Sequence, residues 1–257
     1  MNRLSIVKTC LLAGSLLACF SVQASRPYPR KEITEDIRLL KLSDSAYVHV
    51  SEAEIDGFGS ISSNGLLLIG KEGQAFLFDT PYTEQQTETL VKYIEDSLQC
   101  RVVGFVPNHW HQDCLGGLDY LHRIGVRSYA YRMTVDLALR NGKPVPQTAF
   151  EDSLRLDWEG PQAYCYYLGG GHAVDNIVVW VPSEGILFPG CMAKDVHSAD
   201  PGNTADADMA AWPHTVEAVM ARFPQAKTVI PGHGETGGME VLVHTRRLLE
   251  AWENKEK

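Results

Sequence analysis

The chain has 257 residues, 44% of them hydrophobic and 21% charged, which is an ordinary globular composition with length enough to bury a full core. Its formal charge of −9, with no run of Lys or Arg and no interleaving of basic with aromatic residues, excludes a nucleic-acid surface.

The first residues do not read as part of the fold. Arg3 and Lys8 precede an apolar segment, Thr9 to Val22, which ends in Val22–Gln23–Ala24 before Ser25. This is the pattern of a secretory signal with an A-x-A-like cleavage site, and it is too short for a membrane span. It implies a signal peptide over residues 1–24, one domain over 25–257, and a periplasmic product. Leu16–Leu17–Ala18–Cys19 loosely resembles a lipoprotein cleavage box, which leaves acylation at Cys19 as a second reading. Cleavage after Ala24 leaves Cys100, Cys114, Cys165 and Cys191; a domain of this size needs no disulfide, and none is expected.

After a Pro-containing polar lead, Ile37–Leu42 and Ala46–Val50 read as adjacent strands. Gly57–Phe58–Gly59 then forms an apolar tip on a hairpin. Leu66–Ile69 and Ala75–Phe78 are short apolar runs separated by the turn signal Gly70–Lys71–Glu72–Gly73. Thr83 caps a helix, with Gln86 three residues on and a stripe of Leu90, Val91, Ile94 and Leu98. Strand Val102–Val106 leads into a loop rich in ligating side chains, Pro107 to Gly117, and then into helix Leu118–Ile124, stopped by Gly125. Thr134–Asn141 is a further short helix. In the second half, Tyr164–Leu168, Ile177–Val181, Ile186–Phe188 and Thr228–Ile230 read as strands. Trp212–Arg222, with Pro213 in its first turn, and Glu240–Trp252, with Val241, Leu248, Leu249 and Trp252 on one face, read as helices. With no linker or repeat, the pattern predicts one α/β domain with two sheets and outer helices.

The chemistry concentrates where strands end. The loop after Val106 carries His109, His111 and Asp113 within five residues. Three later loops follow the same plan: Gly169–Gly170–Gly171–His172, Pro189–Gly190–Cys191 and Pro231–Gly232–His233–Gly234. A His or Cys placed directly after a strand among glycines is rare by chance, and here it recurs three times. His109, His111, Asp113, His172, Cys191 and His233 make six candidate ligands, a set suited to two zinc ions with open positions for water.

With these motifs in view, His109-x-His111-x-Asp113, Gly171–His172-x-x-Asp175–Asn176, Gly190–Cys191-x-x-Lys194 and Pro231–Gly232–His233–Gly234, the chain resembles a metallo-β-lactamase of class B, subclass one, from about residue 35 to the C-terminal helix. The wider superfamily carries HxHxDH; here Cys114 takes the place of the last His, and the resemblance implies that Cys191 supplies the missing ligand. The resemblance implies a four-layer αβ/βα sandwich, two central sheets flanked by helices. It implies that His109, His111 and His172 bind a first zinc, and Asp113, Cys191 and His233 a second. A hydroxide between the metals, oriented by Asp113, would attack the lactam carbonyl, with Asn203 helping to stabilise the oxyanion. Lys194 would pair with the substrate carboxylate, and Phe58 would contact apolar substrate groups. Asp79 would orient a metal-bound histidine, and Cys114 would be a free thiol beside the second zinc. Asp175 and Asn176 would be structural, and His49, His122, His197, His214 and His244 lack the strand-end glycine setting. The implied substrates are penicillins, cephalosporins and carbapenems, which makes the protein an agent of antibiotic resistance; no protein partner is implied, and a monomer is expected. Two alternatives stay open: a superfamily hydrolase of thioesters, lactones or phosphodiesters, and a periplasmic zinc-binding protein without turnover.

Overall fold

The interior strands show why this sequence folds in layers. In Leu66–Leu67–Leu68 all three side chains are fully buried, which no alternating, half-wetted strand would tolerate. Leu66 and Leu68 enter one core cluster while Leu67 enters another, so the sheet that carries them is covered on both faces. Phe76 and Phe78 against Ala75 and Leu77 repeat the arrangement one strand over. In the second half, Val179 and Val181 face the same central cluster, and Val178 and Trp180 face a third.

The computed structural model describes residues 28–57 and 59–255; the expected signal segment with Cys19, and the Phe58 tip, lie outside the described residues. Eight strands form the first sheet in chain order: β1 Arg30–Glu32, β2 Ile37–Lys41, β3 Ala46–Ile55, β4 Gly59–Ile69, β5 Gln74–Phe78, β6 Arg101–Val106, β7 Arg127–Tyr131 and β8 Thr148–Phe150. Five form the second in the order β13-β12-β11-β10-β9: β9 Ser153–Arg155, β10 Tyr164–Tyr166, β11 Val178–Val181, β12 Ile186–Gly190 and β13 Thr228–Pro231. Helices α1 Glu84–Ser97, α3 Leu118–Arg123 and α4 Arg132–Arg140 cover the outer face of the first sheet through Leu90, Ile94, Leu118 and Ala138. Helices α5 Trp212–Arg222 and α6 Glu240–Lys255 cover the second through Trp212, Val216, Leu242 and Leu249. The result is the expected αβ/βα sandwich, with Val48, Phe78 and Val106 meeting Val179, Phe188 and Ile230 between the sheets. Among the described residues no helix is long and apolar enough to cross a membrane.

Thr83 caps α1 as expected, its hydroxyl accepting from the Gln86 N–H at 3.2 Å. The inner face of α6 differs from the expected stripe: Val241, Leu242, Thr245 and Leu249 are buried, whereas Leu248 and Trp252 are not. Four strands escape the hydrophobic pattern. β1 is exposed throughout, β8 and β9 have three residues each, and β7 buries only the small Ser128 and Ala130.

Strands β5 to β8 run parallel, as do β12 and β13, so the chemistry-bearing loops gather at their carboxyl ends. The two sheets are tied along that edge. The Ile177 N–H donates to Asn108 O at 3.0 Å, and the Asn64 N–H donates to Gly232 O at 2.8 Å.

Candidate metal centre

The loop after β6 curls straight into α2, a single turn over Gln112–Leu115 that opens on an extended His111. This places His111 before the turn and Asp113 within it, so neighbouring side chains diverge towards two clusters. In the first, ligating atoms of His109, His111 and His172 lie within 4.8 Å of one another, and His172 Nε2 is 3.2 Å from His111 Nδ1. That separation matches the edge, about 3.3 Å, of a tetrahedron with Zn–N bonds near 2.05 Å. In the second cluster, Asp113 Oδ2, Cys191 Sγ and His233 Nε2 stand 3.4 Å from each other. Asp113 also faces the first, its Oδ1 being 3.9 Å from His109 Nε2.

The donor chemistry fits a divalent cation at each cluster. His109 Nε2 is fully buried and finds no hydrogen-bond partner among the described residues, an orphan that burial makes costly unless a cation satisfies it. Burial holds the His109 imidazole down to about 3 and that of His172 well below its usual value, so both rings are neutral with a lone pair free. Burial alone would raise the Asp113 carboxyl, but the hydrogen bond from His233 and the nearby imidazoles hold it well below the carboxylate range. Burial, and then the charge of Asp113, pushes the Cys191 thiol well up. A thiolate beside a carboxylate in this setting is favourable only with a cation to share.

Outer contacts set the rings. His233 Nδ1 donates to Ser62 O at 2.8 Å, leaving Nε2 for the cluster. His111 Nε2 lies 3.0 Å from Asp206 Oδ2. No sequence signal marked Asp206, which sits in a polar turn; only the fold brings it to His111. Asp206→Ala is expected to weaken metal binding by about 10- to 100-fold, as measured by competition with a chelator.

Asp79 Oδ1 accepts the Asn108 N–H at 2.5 Å, and its carboxylate also bonds Cys114, so its path to the His109 ring runs through that thiol. Cys114 is buried beside ligands of both clusters, with Sγ 3.2 Å from His109 Nδ1 and within 4.8 Å of the Asp113 carboxylate. His109, Asp113 and Cys114 form a third group of adjacent ligand atoms. Because Sγ meets the Nδ1 side of the ring while the buried Nε2 faces the Asp113 carboxylate at 3.9 Å, we read Cys114 as a support for His109 and not as a ligand. The cysteines among the described residues, Cys100, Cys114, Cys165 and Cys191, are all free, as expected.

Asn176 does the structural work expected of it. Its Oδ1 accepts the Ala173 N–H at 2.7 Å and its Nδ2 donates to Asn108 Oδ1 at 2.8 Å, tying the His172 loop to the His109 loop. Gly232 lets the His233 loop approach, since a Cβ there would come within 2.3 Å of Cys191 Sγ.

No protein-family model matches the chain. A curated relative does: the metallo-β-lactamase type 2 of Bacteroides fragilis is 49% identical over 246 residues, 96% of this chain and 97% of that one. The chain belongs to the metallo-β-lactamase family. The type 2 enzyme of Bacillus cereus is 34% identical over 90% of both chains. The solved metallo-β-lactamase from Pontibacter korlensis superposes with a TM-score of 0.80 at 38% identity, covering 83% of this chain and 99% of that one.

In this metallo-β-lactamase, Lys194 and Asn203 both lie on the segment that follows β12. Lys194 is half-buried, with Nζ 5.5 Å from the Trp212 ring centroid. Burial lowers its pKa, while the charges of Cys191, Asp113 and Asp200 pull the other way. The turn carrying Asn203 packs on it, since a Cβ at Gly202 would lie 3.5 Å from Lys194 Nζ. Asn203 is exposed, and its Oδ1 accepts the Ala205 N–H at 3.1 Å, closing the turn and leaving its Nδ2 free of that bond.

Proposed function

We propose that the protein is a zinc-dependent β-lactamase that opens the lactam amide of penicillins, cephalosporins and carbapenems, exported to the periplasm by residues 1–24 and conferring resistance there. The observation that carries this reading is the pair of adjoining clusters, His109, His111 and His172 beside Asp113, Cys191 and His233, with Asp113 facing both. The name of the Bacteroides fragilis relative supports the substrate class.

The first cluster would hold one zinc and the second another; bound there, zinc supplies a water acidic enough to lose its proton near neutral pH and a Lewis acid for the carbonyl. The chain's own groups do the rest. Lys194 receives the substrate carboxylate as a point charge and so orients the lactam over the clusters. Asp113, anionic between them, accepts a hydrogen bond from the attacking water and fixes its direction. As the water oxygen bonds to the carbonyl carbon, Asn203 Nδ2–H donates to the developing oxyanion. The C–N bond then breaks, and the leaving nitrogen takes a proton from water, giving the ring-opened amino acid. Phe58, which falls between β3 and β4 in the sequence, would contact the apolar substituents.

The test is carbapenem hydrolysis by the purified protein, followed in the ultraviolet with and without a chelator. Turnover is expected to disappear on chelation and return with added zinc. A protein that holds zinc yet leaves the carbapenem and a chromogenic cephalosporin intact would overturn the assignment.

A further inference from the structure

His233 sits on a glycine-flanked loop just beyond the end of β13. Its ring is oriented by Ser62 O, but a ring bond alone does not fix the loop. Two side chains outside the clusters do. From the first sheet, Asn64 is 4% exposed and bonds the loop at three places. Its backbone N–H donates to Gly232 O at 2.8 Å, and its Nδ2 donates to both Pro231 O and Gly234 O at 2.9 Å. These carbonyls bracket His233. The amide orientation is unambiguous, because a flipped carboxamide would set its oxygen against two carbonyl oxygens. Its Oδ1 is buried without a partner among the described residues, so the side chain satisfies the loop at its own expense.

From the other flank comes Asp195, the residue after Lys194. Its Oδ2 accepts the Glu235 N–H at 3.1 Å, while its Oδ1 accepts the N–H groups of His197 and Ser198 at 2.6 and 3.0 Å. The carboxylate therefore joins the Cys191–Lys194 loop to the His233 loop. Gly234 makes the contact feasible. Its φ of +79° suits glycine, and a Cβ there would fall 1.7 Å from Asp195 Oδ2.

We propose that Asn64 and Asp195 are positioning residues, holding the His233 loop from opposite sides so that Nε2 stays trained on Cys191 and Asp113. The inference rests on reading those three residues as the second zinc site. It predicts a selective effect. Zinc-free wild type, Asn64→Ala and Asp195→Asn are titrated with zinc against a chromophoric chelator, with circular dichroism and melting of the metal-free forms as a folding check. Wild type is expected to take up two zinc ions. Each variant is expected to bind the first as wild type does and the second about 10- to 100-fold more weakly, with turnover rescued by excess zinc. Unchanged second-site affinity in both variants would overturn the proposal, and so would an equal fall at both sites, the mark of a general loss of structure. Should Asn64→Ala fail to fold, Asp195→Asn, which keeps its volume and one acceptor oxygen, carries the same test. Uptake of a single zinc by wild type would overturn the two-site reading itself, and is recognised before any substitution is made.

Discussion

Asp113→Asn is expected to lower kcat for β-lactam hydrolysis roughly 10³-fold while leaving the fold in place. The substitution is nearly isosteric but removes the anion that faces both clusters. Oδ2 stands 3.4 Å from both Cys191 Sγ and His233 Nε2, and Oδ1 faces His109 Nε2 at 3.9 Å. A neutral carboxamide is a poorer ligand and cannot serve as the anionic acceptor that aims the water. The decisive measurement is kcat at saturating zinc with zinc content determined on the same sample. A two-zinc Asp113→Asn protein within tenfold of wild type would show that the carboxylate does not orient the attack.

The second large effect is on stability. Trp212→Ala is expected to cost about 3–5 kcal/mol, a fall in Tm of about 6–20 °C. Trp212 is fully buried in the cluster beneath the second sheet, where it packs with Val216 and Leu242. Its Nε1–H donates to Met192 O at 2.8 Å, in the loop that bears Cys191 and Lys194. The ring also meets His172 edge-on at 6.1 Å and lies under Lys194 Nζ. Activity should therefore fall more steeply than stability alone explains, since the cavity removes the floor beneath two site residues. Thermal melts of the metal-free protein compared with kcat/KM below the transition separate the two. A Tm change under 3 °C would show that the core collapses to fill the space.

Much of this was legible in the residues. The alternation of burial partners within Leu66–Leu68 and Val178–Val181 is a consequence of continuous apolar runs, which is why two covered sheets could be expected. The six ligand candidates were legible because each sits among glycines or beside another ligand at the end of a strand, a local signal. What escaped was non-local or weakly patterned. β7 and β9 carry too few large apolar residues to register, and they exist because a neighbouring strand offers backbone partners. Asp206 and Ser62 act on His111 and His233 from distant parts of the chain, Ser62 through a main-chain carbonyl that no sequence pattern reports. Cys114 was visible as a departure from HxHxDH, yet which side of His109 it occupies depended on the turn of α2.

The division of ligands between the sheets has a mechanical consequence. His109, His111 and Asp113 come from the loop after β6, whereas His172, Cys191 and His233 come from loops around β10, β12 and β13. Each cluster thus takes donors from both halves of the sandwich. Ions bound at both clusters would act as rivets through the seam, and the halves could not part until they let go. Slow zinc release would then set the pace of unfolding, giving the protein a lifetime governed by ligand exchange rather than by its core.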